Sequence, residues 1–188
     1  MDRIQLLAVS GSLRRESYNS AAIKAMGLMS PENVEVRVYN DLGNLPLFNP
    51  DLDSEAVPAV SRLKTAIREA HGLIIASPEY AHGISGVLKN ALDWLVSGEE
   101  FVSMPIALVN TSPRASHAQA ALREVVTTMS GLIVEDACVS IPLLGSGLAS
   151  DGIVGEPEMA EPLSRGLSEF CAAIRAIEIN KAMHATSA

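Results

Sequence analysis

The sequence predicts a three-layer α/β sandwich, in which a sheet of five parallel strands lies between two layers of helices. Short apolar runs alternate with segments of helical periodicity along the 188 residues, a pattern typical of repeated strand–helix–strand units. The run Leu73–Ala76 contains no polar residue, and such a strand needs cover on both faces. We therefore expect a single domain over residues 1–188, with a tail that frays after Asn180.

Each layer can be assigned to segments of the chain. The predicted strands are Ile4–Val9, Val34–Val38, Leu73–Ala76, Ile106–Val109 and a weaker Ile133–Ser140. The predicted helices are Asn19–Met29, Val57–Ala70, Ser85–Val96, Ala115–Met129 and Pro157–Ile177. The two longest connections are Asn40–Ala56 and the Gly-rich Pro142–Glu156.

The composition of the chain indicates the kind of core it has and excludes several kinds of partner. Hydrophobic residues make up 48% of the chain and aromatic residues only 4%, so the core must be aliphatic. The net charge of −8 and the pI near 5.0 argue against a nucleic-acid partner. No signal-peptide pattern and no apolar run of about 20 residues occurs, which favours a cytoplasmic protein without a membrane partner. Cys138 and Cys171 are isolated, and no metal site is predicted.

Three unusual loops follow the first, third and fourth strands. They are Ser10–Asn19, Ser77–Gly86 and Asn110–Ala115. In open parallel sheets, ligands bind outside the carboxyl ends of the strands, near the point where strand order reverses. We therefore expect the three loops to form one site.

The first loop has the chemistry of a phosphate site. It supplies hydroxyl and amide side chains and an arginine pair, Arg14-Arg15, at the start of a helix whose first N–H groups are unpaired. The alternative is that Ser17 or Asn19 only caps this helix. The chain has no Gly-x-Gly-x-x-Gly after the first strand and no Gly-Lys-Ser/Thr, which favours a mononucleotide over a dinucleotide or a nucleoside triphosphate.

The second loop carries a family resemblance. Pro78–Tyr80, a glycine-containing turn and Gly86–Trp94 together resemble the NADPH-dependent FMN reductase family, and Gly11–Arg14 with the following Ser-x-Asn is similar to that family's phosphate loop. The resemblance implies a flavodoxin-like fold with strand order 2-1-3-4-5 and non-covalent FMN. It implies that FMN contacts come from all three loops: Ser10, Ser12, Arg14, Ser17, Tyr18 and Asn19 at the phosphate, Pro78, Glu79, Tyr80, Ala81, His82 and Gly83 at the ring, and Thr111, Ser112 and Arg114 beside them.

Two details of these loops bear on the expected contacts. Ala81-His82 stands where many relatives have Asn-Tyr, so a side-chain amide near the ring is expected to be missing or replaced by His82. We expect Gly83 to provide the unusual backbone dihedrals that the loop needs. Arg114 is a candidate to bind a phosphate of NADPH, with a solvated arginine at a helix start as the alternative.

The resemblance also implies an activity. NADPH or NADH would reduce bound FMN, which would pass electrons to a small acceptor such as a quinone, an azo or nitro compound, chromate or free flavin. A homodimer or homotetramer is implied, with Ser85–Val96 and Asn40–Ala56 as candidate contacts. Two alternatives stay open, a flavodoxin-type electron carrier and a non-redox binding module of the same fold.

Overall fold

A computed structural model describes residues 3–185. The strands are β1 (Ile4–Ser10), β2 (Val34–Tyr39), β3 (Gly72–Ala76), β4 (Glu79–Tyr80), β5 (Gly83–Ile84), β6 (Pro105–Asn110), β7 (Leu132–Ile133) and β8 (Val139–Ser140). The helices are α1 (Tyr18–Leu28), α2 (Pro58–Arg68), α3 (Gly86–Leu95), α4 (Ser116–Thr128), α5 (Ser150–Gly155) and α6 (Pro157–Ala185), with short 3₁₀ turns at Leu42–Asn44 and Glu135–Ala137.

The main sheet is parallel, and its order is β2-β1-β3-β6 followed by β7 and β8. Both β7 and β8 pair with β6, at its start and at its end, so together they occupy the fifth position. The predicted order 2-1-3-4-5 is confirmed. The order reverses between β1 and β3, and the loops after these two strands therefore diverge and leave a crevice.

The alternation of side chains along the strands divides the core between the two faces. On β1, Leu6 and Ala8 pack in one cluster with α1, α5 and α6, whereas Leu7 and Val9 pack in the other with α2, α3 and α4. All five residues of β3 are buried. The three predicted layers are therefore present, and the large buried side chains include one tryptophan, Trp94, among mostly aliphatic residues.

The structure departs from the sequence prediction at four places. The fifth strand is interrupted by the turn Glu135–Ala137. The connection Pro142–Glu156 contains α5, and the loop after β3 contains the hairpin β4–β5. Helix α6 continues to Ala185, eight residues beyond the predicted end at Ile177. The last part of the tail, 186–188, lies outside the described residues. Within residues 3–185, no helix has both the length and the hydropathy needed to cross a membrane.

Candidate functional site

The three loops that follow β1, β3 and β6 enclose one cleft of about 280 Å³. Most of the residues predicted for the site line it: Ser12, Arg14, Ser17, Tyr18, Asn19, Pro78, Glu79, Tyr80, Thr111, Ser112 and Arg114. Ser10, Ala81, His82 and Gly83 are not among its lining residues. Of the other lining residues, Ser77, Asn110 and Ala115 lie in the three predicted loops without having been given individual roles, and Leu144 lies outside those loops.

Buried polar side chains gather at this edge of the sheet. Within residues 3–185, the buried polar or charged residues apart from Lys64 all lie in the three loops or at the starts of α1 and α3. They are Ser10, Ser17, Asn19, Ser77, Ser85 and Thr111. Burying a polar group is costly unless it is hydrogen-bonded. These side chains are hydrogen-bonded to one another or to nearby backbone groups, and they hold the three loops together at this edge of the sheet.

Ser10 supports the phosphate loop from below. Its hydroxyl oxygen accepts hydrogen bonds from the Ser20 hydroxyl at 2.9 Å and from the Ser12 N–H at 3.3 Å. The Ser12 hydroxyl in turn accepts from the Arg14 N–H at 3.4 Å. Ser10 therefore shapes the loop that carries Ser12 and Arg14, and its contact with the phosphate stays a prediction.

The start of α1 offers donors to the cleft. Ser17 is the N-cap, and its hydroxyl oxygen accepts from the Ser20 N–H at 3.4 Å. An α-helix leaves its first N–H groups without intrahelical acceptors, and here those of Tyr18 and Asn19 belong to residues that line the cleft. Ser17 therefore caps the helix, as the alternative predicts, and it also lines the cleft.

Two side chains of α1 connect the loop to its surroundings. The Asn19 side-chain oxygen accepts from the Thr111 hydroxyl at 3.1 Å, which joins the first loop to the third. The Tyr18 hydroxyl accepts from the Gly147 N–H at 3.0 Å, which fastens the Gly-rich connection over the start of α1. Leu144 lines the cleft from the same connection, since the N–H of its neighbour Leu143 donates to the Thr111 carbonyl at 3.1 Å.

The second loop is a tight two-residue hairpin. Tyr80 pairs with Gly83, and the residues between them, Ala81 and His82, have φ values of 49° and 60°. Positive φ at both central residues is the geometry of a type I′ turn. The expectation that Gly83 supplies the unusual dihedrals was wrong, because among the described residues the left-handed conformation here falls on Ala81 and His82.

The hairpin is attached to α4 at two points. The Glu79 carboxylate accepts from the Ala118 N–H in the first turn of α4 at 2.8 Å. The His82 ring stacks on the His117 ring, with centroids 4.4 Å apart and planes within 15°. His82 therefore lies against α4 outside the cleft, and the Glu79 carboxylate is occupied by α4.

The third loop is ordered by its own hydrogen bonds. The Asn110 side-chain oxygen accepts from the Ser112 N–H at 3.0 Å, and the Ala115 N–H donates to the Ser112 carbonyl at 2.9 Å. Arg114 is exposed, and no ion pair to it is found within residues 3–185. Arg14 is in the same state. Two unpaired cations therefore border a cleft in an acidic protein.

A comparison with family models assigns the chain that carries this cleft to a protein family. Residues 4–143 match the model for NADPH-dependent FMN reductase, and this range contains the sheet strands that carry all three loops. The chain belongs to the NADPH-dependent FMN reductase family. It is therefore an oxidoreductase that works with FMN and NAD(P)H, which disfavours the electron-carrier and non-redox alternatives.

Individual relatives agree with this assignment. The chain is 42% identical over 116 residues to an NAD(P)H-dependent FMN reductase of Pseudomonas aeruginosa, a match that covers 59% of this chain and 61% of that protein. It is 30% identical to a 2-hydroxy-1,4-benzoquinone reductase of a Burkholderia species, over 92% of this chain and 97% of the relative. Among solved structures, FerB, a flavoenzyme NAD(P)H:(acceptor) oxidoreductase from Paracoccus denitrificans, superposes with a TM-score of 0.75 at 26% identity, covering 92% of this chain and 98% of that one.

The residues of the cleft fit FMN. A phosphate monoester needs several donors and a cation, which the first loop provides through Ser12, Ser17, the first N–H groups of α1 and the unpaired Arg14. The stretch Pro78–Tyr80 lines the same cleft, where its backbone could border a flat ring. No part of the cleft described here places a carboxylate against the phosphate donors, since Glu79 is held by α4.

Proposed function

We propose that this chain binds FMN in the three-loop cleft and uses it to pass electrons from NAD(P)H to a small acceptor, with a quinone as the first candidate. The observation that carries the proposal is that hydroxyl groups, unpaired helix N–H groups and Arg14 lie together in the cleft at the carboxyl end of β1. When bound, FMN supplies the chemistry by accepting hydride and releasing electrons. The chain supplies position and charge.

Each loop has its own part in this proposal. Ser12, Ser17, Asn19 and Arg14 hold the FMN phosphate, with Ser10 and Tyr18 fixing the loop around them. The backbone of Pro78–Tyr80 borders the ring, and the hairpin turn with His82 keeps that backbone in place through α4. Thr111 and Ser112 face the ribityl chain or the pyrimidine edge. Arg114 contacts a phosphate of the nucleotide donor.

The experiment is an anaerobic titration of the FMN-loaded protein. Addition of NADPH or NADH should bleach the visible absorbance of the flavin, and addition of a quinone should restore it. Bleaching without reoxidation would leave an electron carrier, and failure to bind FMN after reconstitution would overturn the proposal.

A variant tests the phosphate assignment. Because hydrogen bonds to a charged partner contribute about 1.5–3 kcal/mol, Arg14→Ala should weaken FMN binding by about 10- to 100-fold. The matched control is Arg165→Ala, which removes one exposed arginine from α6 and should leave FMN affinity unchanged. The measurement is quenching of FMN fluorescence on titration with protein. Equal affinities of the two variants would exclude Arg14 from the site.

Residues 1–188 are proposed to act as one domain in a cytoplasmic homodimer or homotetramer. The free thiols of Cys138 and Cys171 suit a reducing compartment. Candidate contacts between copies are α3 and the segment Asn40–Ala56, where Leu47 is 86% exposed.

A further inference from the structure

A second groove lies on the outer side of the phosphate loop and α1. It has a volume of about 470 Å³, and its lining includes three cations, Arg14, Arg15 and Lys24, one carboxylate, Glu16, and the residues Gly147 and Leu148. We call it the α1 groove. It shares Arg14, Ser17 and Tyr18 with the flavin cleft, so the two spaces are contiguous across the start of α1.

The α1 groove is basic on an acidic protein. Within residues 3–185, no ion pair is found for Arg14, Arg15 or Lys24, although the whole chain has a net charge of −8. The same three cations also line a further cavity on the β2 side, where Tyr39 and Asn40 close the space. Arg14 is assigned to the FMN phosphate, so Arg15 and Lys24 remain for a second anion and outnumber Glu16, the carboxylate that lines the same groove.

The geometry of α1 sets the length of this groove. Ser20 and Ala21 each lie three or four residues from both Ser17 and Lys24, so these four residues lie on one face of the helix. Seven residues of α-helix rise about 10 Å, which is the distance along the axis from the start of α1 to Lys24. The opposite wall is fixed by the hydrogen bond from the Gly147 N–H to the Tyr18 hydroxyl at 3.0 Å.

We propose that the α1 groove receives the adenosine end of the nucleotide donor, with Arg15 and Lys24 binding the 2′-phosphate that distinguishes NADPH from NADH. This inference rests on the proposed function, which places the FMN phosphate on the inner side of the same loop and the nicotinamide beside Pro78–Tyr80. The adenosine half then extends past the start of α1. A phosphate monoester carries close to two negative charges, and a guanidinium with an ammonium matches them.

The first test uses binding without electron transfer. Adenosine 2′,5′-bisphosphate and AMP are titrated calorimetrically into the FMN-loaded protein, and the bisphosphate should bind at least about tenfold more tightly. Lys24→Gln and Arg15→Gln should each remove most of that difference, and Lys24→Arg should retain it. If inorganic phosphate competes as well as the bisphosphate does, the groove is a site for free anions and the proposal fails.

The second test uses the reaction. In Lys24→Gln the ratio of kcat/KM for NADPH to that for NADH should fall about tenfold. Arg165→Gln removes the same charge from α6 and should keep the ratio of the unmodified protein. If neither nucleotide bleaches the flavin, the proposed function itself fails. If both bleach it and Lys24→Gln keeps the ratio, only the assignment of the α1 groove is overturned.

Discussion

At the scale of single residues, Gly11 is the position on which the cleft most directly depends. Its N–H donates to the Ala76 carbonyl at 2.8 Å, so it lies against the end of β3. A Cβ atom at this position would come within 2.7 Å of the Ser77 hydroxyl oxygen and 2.8 Å of the Ser85 hydroxyl oxygen. Because Gly11 has no side chain, the first loop can pack directly against Ser77 in the second loop and against Ser85 at the start of α3.

We expect Gly11→Ala to destabilise the protein by about 1–3 kcal/mol, since the added methyl group has no space. It should also weaken FMN binding, because Ser85 would have to move and its hydroxyl caps α3 by accepting from the Leu88 N–H. The measurements are urea unfolding and FMN titration. Gly86→Ala is the matched control: a Cβ there meets nothing within 4 Å, so stability should rise by up to about 1 kcal/mol. A Gly11→Ala variant as stable as the control would contradict this account.

Some residues of the cleft could be predicted from the sequence, and others could not. Ser12, Arg14 and Ser17 were predicted from residue type and position, because donors and a cation after a first strand suit phosphate. Leu144 was missed, because it lies in the connection Pro142–Glu156, which reaches the cleft through hydrogen bonds from the Leu143 N–H to the Thr111 carbonyl and from the Gly147 N–H to the Tyr18 hydroxyl, both between residues far apart in sequence. No local pattern records such a contact.

At the scale of elements, strands and helices with strong periodicity were predictable, and short elements were not. The hairpin β4–β5 was missed because type I′ turns normally carry Asn or Gly, whereas this one carries Ala81 and His82. Helix α5 was missed because its sequence contains two glycines in six residues. The predicted end of α6 at Ile177 was too early, and the helix continues to Ala185 with exposed side chains such as Ile179 and Met183.

The attachment of the hairpin to α4 yields a prediction for His117. An aromatic pair contributes about 0.5–1.5 kcal/mol, and the stack on His82 is one of the two attachments of the ring-bordering loop. His117→Ala should therefore increase the dissociation rate of FMN by about two- to tenfold. His117→Phe keeps a ring at this position and should restore most of the slow dissociation seen with the native residue.

The measurement is stopped-flow release of FMN, followed by its fluorescence. Hydrogen exchange adds a readout at the element itself, because the amides of Glu79–Ile84 should exchange faster in His117→Ala while those of β1 do not. Unchanged exchange in the hairpin would show that Glu79 alone holds it to α4.

At the scale of the whole molecule, one partly buried ionic cluster joins distant segments of the chain. The Lys64 ammonium lies 2.7 Å from the Glu55 carboxylate and 3.4 Å from that of Glu100, and Arg68 contacts both acids at 2.8 Å. Burial by itself raises the pKa of Glu100, but hydrogen bonds from its own backbone and from Arg68, with the charge of Lys64, hold that pKa below its ordinary value.

Because of this cluster, we expect the free energy of unfolding to depend on pH. A carboxyl group whose pKa is lowered by folding stabilises the protein above the ordinary pKa of 4.5, and the contribution is lost as pH falls through the lowered value. The free energy of unfolding should therefore decline below about pH 4.5. Glu100→Gln should lower stability at neutral pH by about 1–3 kcal/mol and flatten the acid decline.

Chemical denaturation at a series of pH values measures both effects. Glu69→Gln is the control, because its carboxylate pairs with Arg37 where both side chains are about half exposed, and such pairs contribute little. An acid decline as steep in Glu100→Gln as in the native protein would exclude this carboxyl group as the cause.

Assembly is the largest scale at which the structure makes a prediction, and it concerns Leu47. The Pro46 carbonyl accepts from the Asn90 side chain at 2.9 Å and from the Trp94 indole at 2.8 Å, while the Phe48 N–H donates to the Asn90 side chain at 2.8 Å. The Phe48 and Trp94 rings meet edge to face. The backbone on both sides of Leu47 is thus fixed to α3, and the Leu47 side chain is 86% exposed.

A segment whose backbone is fixed in advance loses little backbone freedom on binding, and burial of a leucine side chain contributes about 2 kcal/mol. If copies of the chain assemble through α3 and Asn40–Ala56, Leu47→Glu should shift the protein toward monomer. Leu28→Glu introduces the same charge at a leucine that is 59% exposed at the end of α1, and assembly should be unaffected. Sedimentation velocity over a range of concentrations measures both variants. Equal assembly of the two would place the contact on another surface, because a glutamate cannot be buried at an interface without a partner.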